Sequence, residues 1–170
     1  MESTPAFVRR SDLTQLFQRA YSFKKEWSSR VPPLVYREEY NIRVYGLEKM
    51  HPMDSCKFGK IVSLLEASGL CRRSDLPSPA PITDDDLLEV HTDAYVRRVQ
   101  NDKTYISQIL ELPFAFLVPK SIIKRCLIQP MRFHTGGTIL AMALAMERGW
   151  AINIGPHSLH PKSMGDTVWH

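Results

Sequence analysis

Two short apolar segments constrain the fold of this chain more than any other feature. Residues 33–36 and 151–154 are too short for helices, and their apolar character is typical of buried strands. Helical patterns dominate the sequence between them. Strands that are separated by several helices indicate an α/β fold, but two strands alone make a poor sheet. The sequence therefore predicts an α/β fold whose sheet is incomplete.

The helical patterns carry recognisable start and stop signals. Gly69 stands where a C-terminal cap belongs, and Thr83 and Thr92 each precede acidic residues that suit the positive end of a helix. A proline- and serine-rich connector is predicted at 71–82. Helices are predicted over 57–68, from Asp84, over 93–99, over 121–127 and from about Gly137 to Arg148.

Charge and hydrophobicity restrict the classes of partner. Residues 1–33 contain six basic and three acidic groups, and so account for +3 of the net charge of +4. A protein that coats nucleic acid would be basic over a whole face, so we expect no direct nucleic-acid partner. The longest strongly apolar run, 138–146, has nine residues, whereas a membrane span needs about 20. We therefore expect no membrane partner.

The first 32 residues are interpreted as a basic N-terminal arm with a short amphipathic helix at 12–27. An organellar targeting segment has this composition, and so does an ordinary surface helix, which we favour. No secretory signal precedes the three cysteines, which lack CxxC spacing. Reduced thiols in an intracellular compartment follow as the simplest interpretation. The cysteines are Cys56, Cys71 and Cys126.

Three segments carry a family resemblance, in the order in which the family has them. Gly46–Asp54, which contains His51-Pro52, is similar to the loop before the first long helix of histone deacetylases. Glu89–Tyr95 resembles the Val-His-Thr/Ser-x-x-Tyr segment of the same family. The helix and strand from Thr135 to Gly155 are similar to those that lead into its catalytic centre. The first and third segments resemble class IV most closely.

The resemblance implies a fold and a reaction. The fold would be of the arginase/deacetylase type, a parallel sheet with helices on both faces and the active site at the carboxyl ends of the strands. The reaction would be the zinc-dependent hydrolysis of N-acetyl-lysine in histones or other proteins, with zinc activating water and polarising the carbonyl. The location would be the nucleus and/or the cytoplasm. Residues 33–155 would be the N-terminal part of this domain.

The residues that the resemblance requires next are missing from the chain. The family has a His-His pair a few residues after the position of Gly155, and an Asp-x-His sequence further on. Neither pattern occurs anywhere in this chain. We therefore assign no catalytic residue, no metal ligand and no cofactor, and expect a truncated form that arises by alternative splicing, a frameshift or a gene-model error.

The divergent tail, residues 156–170, contains residues that are capable of binding zinc. His-x-x-His without a scaffold is a weak signal, and the prolines and glycine of the tail disfavour a rigid helix, so we interpret the tail as disordered and assign it no metal. The residues capable of binding zinc are His157, His160, Asp166 and His170.

Lys57 is the one residue to which the resemblance assigns a place near the site. Counted from His51-Pro52, it falls where many family members have an arginine that lines an inner channel for product exit. A lysine keeps the charge but loses the planar fork of arginine, and a solvent-facing lysine in the first helical turn remains the alternative.

Three functions stay open at this point. The chain is a deacylase, a non-catalytic interaction fragment or decoy in chromatin and deacetylase complexes, or an unrelated binding module. The missing catalytic residues favour the second function, with a protein partner that completes the sheet.

Overall fold

The computed structural model describes residues 32–50, 54–109 and 117–155. Two strands, β1 (Leu34–Val35) and β2 (Ile152–Asn153), pair in parallel. Leu34 lies opposite Ile152, and Val35 lies opposite Asn153. The prediction of an α/β fold with a parallel sheet is confirmed. Residues 1–31 of the arm, the tail and His51-Pro52 lie outside the described residues.

Helices make up most of the described chain between the strands. None of those described is long and apolar enough to cross a membrane. A π-helical turn, Lys124–Ile128, joins the last two helices without a break. The helices are α1 (Lys57–Ala67), α2 (Asp84–Leu88), α3 (Asp93–Asn101), α4 (Lys103–Ile109), α5 (Lys120–Ile123) and α6 (Gln129–Arg148). Short 3₁₀ turns occupy Glu38–Tyr40, Leu47–Met50 and Arg73–Asp75.

The predicted caps are confirmed. Thr83 accepts a hydrogen bond from the backbone N–H of Asp86 and forms a capping box with it. Thr92 accepts from the backbone N–H of Tyr95. Gly69, at φ +69°, follows α1 in the left-handed conformation that ends many helices. Local sequence thus sets where these helices begin and end.

The predicted start of the last helix was wrong. We expected it at about Gly137, but α6 begins at Gln129. Pro130 lies in the first turn of α6, directly after the π-helical turn, a position that helices tolerate for proline. The glycines at 136 and 137 therefore lie inside the helix rather than at its start.

The helices α1 and α6 cover opposite faces of the sheet. Leu34 and Tyr36 pack in one cluster with Phe58 and Val62 of α1. Val35 points to the other face and packs with α6 in a second cluster. This alternation is what a strand buried on both faces requires. The carboxyl ends of both strands consequently lie between two helical layers.

The connector at 71–82 is part of the core, which its proline-rich composition did not predict. Pro77 and Pro79 are among the most fully buried residues. The carbonyl of Pro77 accepts a hydrogen bond from the backbone N–H of Tyr36 at 3.0 Å. The connector therefore lies against the end of β1 instead of looping into solvent.

Candidate functional site

Polar side chains gather where the two parallel strands end. Tyr40 and Asn41 follow β1, Asn153 lies in β2, and His134 reaches the same place from α6. The carboxyl ends of parallel strands are where open α/β sheets bind ligands. We call Tyr40, His134, Gly137, Asn153 and Gly155 the strand-end cluster.

Tyr40 is the centre of the strand-end cluster. Its side chain is fully buried, and its hydroxyl donates a hydrogen bond to Oδ1 of Asn153 at 2.8 Å. Burial raises the pKa of this phenol well above its usual value. Tyr40 is therefore a neutral donor that fixes the side chain of Asn153.

Asn153 ties the end of β2 to α6. Its Nδ2 donates to the backbone carbonyl of His134 at 3.3 Å and to the hydroxyl of Thr138 at 3.2 Å. With Tyr40 bound to its Oδ1, both ends of the amide are used. The direction in which the chain leaves β2 is thereby set by side chains rather than by strand pairing alone.

Two glycines allow this packing. A Cβ at Gly137 would lie 1.7 Å from the hydroxyl oxygen of Tyr40, and one at Gly155 would lie 2.7 Å from its ring. Both distances are far below van der Waals contact, so a side chain at either position would displace Tyr40.

His134 is buried and neutral. Its Nε2 lies 3.1 Å from the backbone oxygen of Tyr40, and since that oxygen can only accept, Nε2 carries the proton. Burial lowers the pKa of His134 to about 4. The imidazole thus acts as a hydrogen-bond donor inside the core and has no free nitrogen on this side for a metal.

This burial predicts a loss of stability in mild acid. Unfolded His134 takes up a proton near pH 6.5, whereas folded His134 does so only near pH 4, so the unfolded state binds more protons between these values. Stability should therefore fall as the pH drops through this window, by about 2 kcal/mol at pH 5 from this group. Urea unfolding of the chain and of His134→Gln at pH 7.5 and pH 5 measures the difference. An equal pH dependence in both proteins would contradict the assignment.

A second polar network lies on the α1 side of the same strand ends. Nδ2 of Asn41 donates to the hydroxyl of Tyr36 at 2.8 Å, and Oδ1 of Asn41 accepts from the backbone N–H of Gly59 at 2.9 Å. The hydroxyl of Tyr36 donates a hydrogen bond to the carboxylate of Glu38. The same carboxylate accepts a hydrogen bond from Nη1 of Arg73 at 2.6 Å. This network locks the start of α1 against the end of β1.

An open cleft of about 540 Å³ adjoins this second network. Arg43, Lys60 and Arg73 line it, but each is paired with a carboxylate. Arg43 and Arg73 face Glu38 at 3.7 and 2.6 Å, and Lys60 faces Asp54 at 2.6 Å. Arg73 also lies 3.9 Å from Glu66, so three carboxylates, Glu38, Asp54 and Glu66, face the three cations around the cleft.

The contacts that the structure gives for Lys57 do not include the strand-end cluster. Lys57 is the half-buried first residue of α1, and its Nζ lies 5.3 Å from the centroid of the Phe58 ring. The structure gives no contact between Lys57 and Tyr40, His134 or Asn153 among the residues that it describes. Its predicted place in a channel stays a prediction.

The loop that led to the resemblance is held by its own side chains. The carboxylate of Glu48 accepts hydrogen bonds from the backbone N–H groups of Val44 and Gly46, at 2.7 and 3.0 Å. Asp54 accepts from the backbone N–H of Cys56 at 2.9 Å, just before α1. Glu48 thus fixes the turn at residues 44–46, and Asp54 fixes the backbone directly before α1.

The second segment of the resemblance forms a small aromatic cluster. His91 stacks on Tyr95 with ring centroids 4.6 Å apart, and burial lowers the pKa of His91. The stacked pair lies at the start of α3, whose N-cap is Thr92. The three cysteines are free thiols.

The described residues do not fit a catalytic zinc ion. Within 32–50, 54–109 and 117–155, no three His, Cys, Asp or Glu side chains lie close enough together to hold a metal. His134 donates to a carbonyl, and Asp84 is paired with Arg132. No step of a zinc mechanism can be assigned to these side chains.

The sequence did not reveal the members of the strand-end cluster. Tyr40 and Asn153 are 113 positions apart, and Tyr40 and His134 are 94 apart, so no local pattern joins them. One signal was available, since polar residues directly after a buried strand lie at the edge where parallel sheets place their sites. Asn153 is the last residue of β2, and Tyr40 and Asn41 follow β1 after a few residues, so the criterion identifies the edge but not these residues individually.

The sequence is similar to those of histone deacetylases. A family model described as the histone deacetylase domain matches residues 51–165. Histone deacetylase 2 of Arabidopsis thaliana is 38% identical over 123 residues, which cover 72% of this chain and 31% of the relative. No solved structure matches the chain. The chain belongs to the histone deacetylase family, as the three segments predicted, and spans about a third of the length of this curated relative.

Proposed function

We propose that this chain supplies the first part of a lysine deacetylase domain and does not catalyse deacetylation by itself. The observation that carries the proposal is the strand-end cluster, in which Tyr40, Asn153 and two glycines fix the end of β2. In the family, the catalytic histidine pair follows this point within a few residues. Here the sequence after Gly155 reads Pro-His-Ser-Leu-His.

The reaction of the family defines which catalytic groups a deacetylase needs. Hydrolysis of an acetyl-lysine amide needs an activated water, a polarised carbonyl and a proton for the leaving amine. The 170 residues contain neither a His-His pair nor an Asp-x-His sequence. We propose acetylated histone or other protein lysines as the substrates of a complete domain, and assign no reacting group to this chain.

The proposal extends to the class and location of the protein. We propose class IV, because the amino-acid sequences of Gly46–Asp54 and of Thr135–Gly155 are most similar to that class. Nucleus and/or cytoplasm is the proposed location. We also propose that Lys57 replaces the channel arginine of other family members, which its half-buried position in the first turn of α1 allows.

A second function, a non-catalytic interaction fragment or decoy, is favoured by a specific observation. Trp150 and Ile152, beside and within β2, are 52% and 51% exposed. Large apolar side chains that stand together on a surface mark contact sites. We propose that the partner is a protein rather than nucleic acid or a membrane, because the excess basic charge belongs to residues 1–33.

Metal analysis tests the proposal. We expect the purified chain, dialysed after exposure to zinc, to retain much less than one zinc ion per chain. The reason is that four-ligand zinc sites need preorganised donors. A tightly held stoichiometric zinc would contradict it, and loss of that zinc in a His157→Ala, His160→Ala variant would place the site in the tail.

A further inference from the structure

We propose that the N-terminal arm folds back on its own chain and packs an amphipathic helix at 12–27 against the outer face of α6. The outer face is the side of α6 that is turned away from the sheet, and it consists of Ile139, Met142 and Met146. Docking of this kind would make the arm part of the folded domain, whether or not the chain has deacetylase activity.

The side of α6 that faces the sheet and the side that faces away are both apolar. Leu144 packs with Val35 of β1, whereas Met142 is 53% exposed and Met146 is 80% exposed on the outer face. Residues 137–146 contain no charged side chain, and a helix that is apolar all round is normally buried all round. Among the described residues, the outer face of α6 thus lacks the cover that its composition indicates.

Ala143 lies at the border of the outer face and is covered. It is one helical turn from both Ile139 and Met146, but it is only 2% exposed. None of the three apolar clusters that the described residues form includes Ala143. An arm helix that lies along the outer face would supply the cover that these clusters do not.

The arm joins the described part of the chain beside the end of α6. The carbonyl of Pro33 accepts a hydrogen bond from the backbone N–H of Ile152 at 2.9 Å, so the chain enters β1 next to the start of β2. Since α6 ends at Arg148, four positions before Ile152, its last turn lies near the same point. Met146 is therefore on the part of α6 that is nearest to the arm.

The linker between the arm helix and Pro33 is long enough to reach the outer face. It consists of the five residues 28–32, which span at most about 18 Å. A helix with its side chains is about 10–12 Å across, and this thickness separates the sheet from the outer face of α6. The tail is less well placed, because it continues from β2 at the opposite, carboxyl end of the parallel strands.

The arm has the apolar stripe that such a surface requires. Four of its large apolar residues fall on one side of a helix over 12–27. They are Leu13, Leu16, Phe17 and Tyr21. Methionine side chains adapt to irregular partners and make favourable contacts with aromatic rings. The two aromatic rings of the stripe therefore suit the two methionines of the outer face.

Limited proteolysis of the full 170-residue chain tests this docking. Trypsin cleavage after Lys24 and Lys25 is followed by mass spectrometry, and a free peptide of residues 1–33 provides the rate for an undocked arm. We expect cleavage in the chain to be at least about tenfold slower than in the peptide, because docking buries large apolar side chains and cleavage follows the population of the open state. Met146→Glu and Phe17→Glu should each raise the rate towards that of the peptide, since either charge would be buried in the contact.

Two substitutions of the same kind serve as matched controls. Gln15→Glu places the charge on the opposite side of the arm helix, and Leu64→Glu places it on α1, where Leu64 is 68% exposed. We expect neither control to change the rate, and circular dichroism compares the folds of all four variants. The double variant Phe17→Glu, Met146→Glu should be cleaved no faster than either single variant, because both changes break the same contact.

Cleavage of the chain as fast as that of the peptide would overturn the proposal. So would rates that are indifferent to Phe17→Glu and Met146→Glu, or effects of the two changes that add in the double variant. Protection that disappears on dilution would overturn it in favour of contact between two copies of the chain. If circular dichroism shows that Met146→Glu disturbs the fold, Phe17→Glu decides, because it changes only the arm.

Discussion

The purified 170-residue chain should hydrolyse acetyl-lysine peptides no faster than buffer, with or without added zinc. The chain has no adjacent histidine pair and no Asp-x-His sequence, and the only two histidines that the structure describes are both at least half-buried. His134 donates to a backbone carbonyl. Enzymes accelerate reactions by about 10⁶-fold or more. We expect this chain to lack the whole of that acceleration. A fluorogenic acetyl-lysine peptide measures it, with a full-length histone deacetylase as the positive control.

The tail provides the control for this expectation. Turnover that is abolished by the double change His157→Ala, His160→Ala would mean that the tail had built a new site. Turnover that survives the double change would contradict the proposed absence of catalytic residues. Turnover in both proteins is measured relative to a blank that contains the same zinc concentration and no protein.

Gly137→Ala should destabilise the fold more than any other single-methyl change in the strand-end cluster. The new Cβ would lie 1.7 Å from the hydroxyl oxygen of Tyr40 and 2.8 Å from Oδ1 of Asn153. Both groups are fixed by hydrogen bonds and cannot move away without breaking them. We expect a loss of about 3 kcal/mol in the free energy of unfolding, measured by urea unfolding and by hydrogen exchange of the β2 amides.

Two further variants test whether the loss comes from the steric clash with Tyr40. Gly69→Ala adds the same methyl group where nothing lies within 4 Å, at φ +69°, so only backbone strain of about 1 kcal/mol is expected. Tyr40→Phe removes the oxygen that lies closest to the new Cβ, so it should recover part of the stability of Gly137→Ala. Equal losses in Gly137→Ala and Gly69→Ala would contradict the close packing of Tyr40.

Local signals were sufficient for most of the secondary structure. The caps at Thr83 and Thr92 and the left-handed Gly69 each depend on residues within four positions, and the sequence predicts such contacts well. The strands at 34–35 and 152–153 were predicted from short apolar runs alone. The family, too, was predicted from segments that are continuous in sequence.

Long-range packing was what the sequence could not predict. The glycines at 136 and 137 pack against Ala80 and Tyr40, which are far from them in the sequence. The same packing draws the connector into the core through Pro77 and Pro79. Because these contacts join distant residues, they follow from the fold and not from any local periodicity.

Thermal unfolding of the chain by itself tests the central claim, that this sheet is only part of a deacetylase domain, most directly. The described residues contain two paired strands, and Ile152 on one of them is 51% exposed. The free energy of unfolding of a domain is only about 5–15 kcal/mol in total. An uncovered part of the sheet therefore removes a large share of it. We expect a transition with its midpoint below about 60 °C, the upper range for ordinary domains. A sharp cooperative transition above about 60 °C in a monodisperse monomer would contradict the claim, since it would show that the chain had closed its own core.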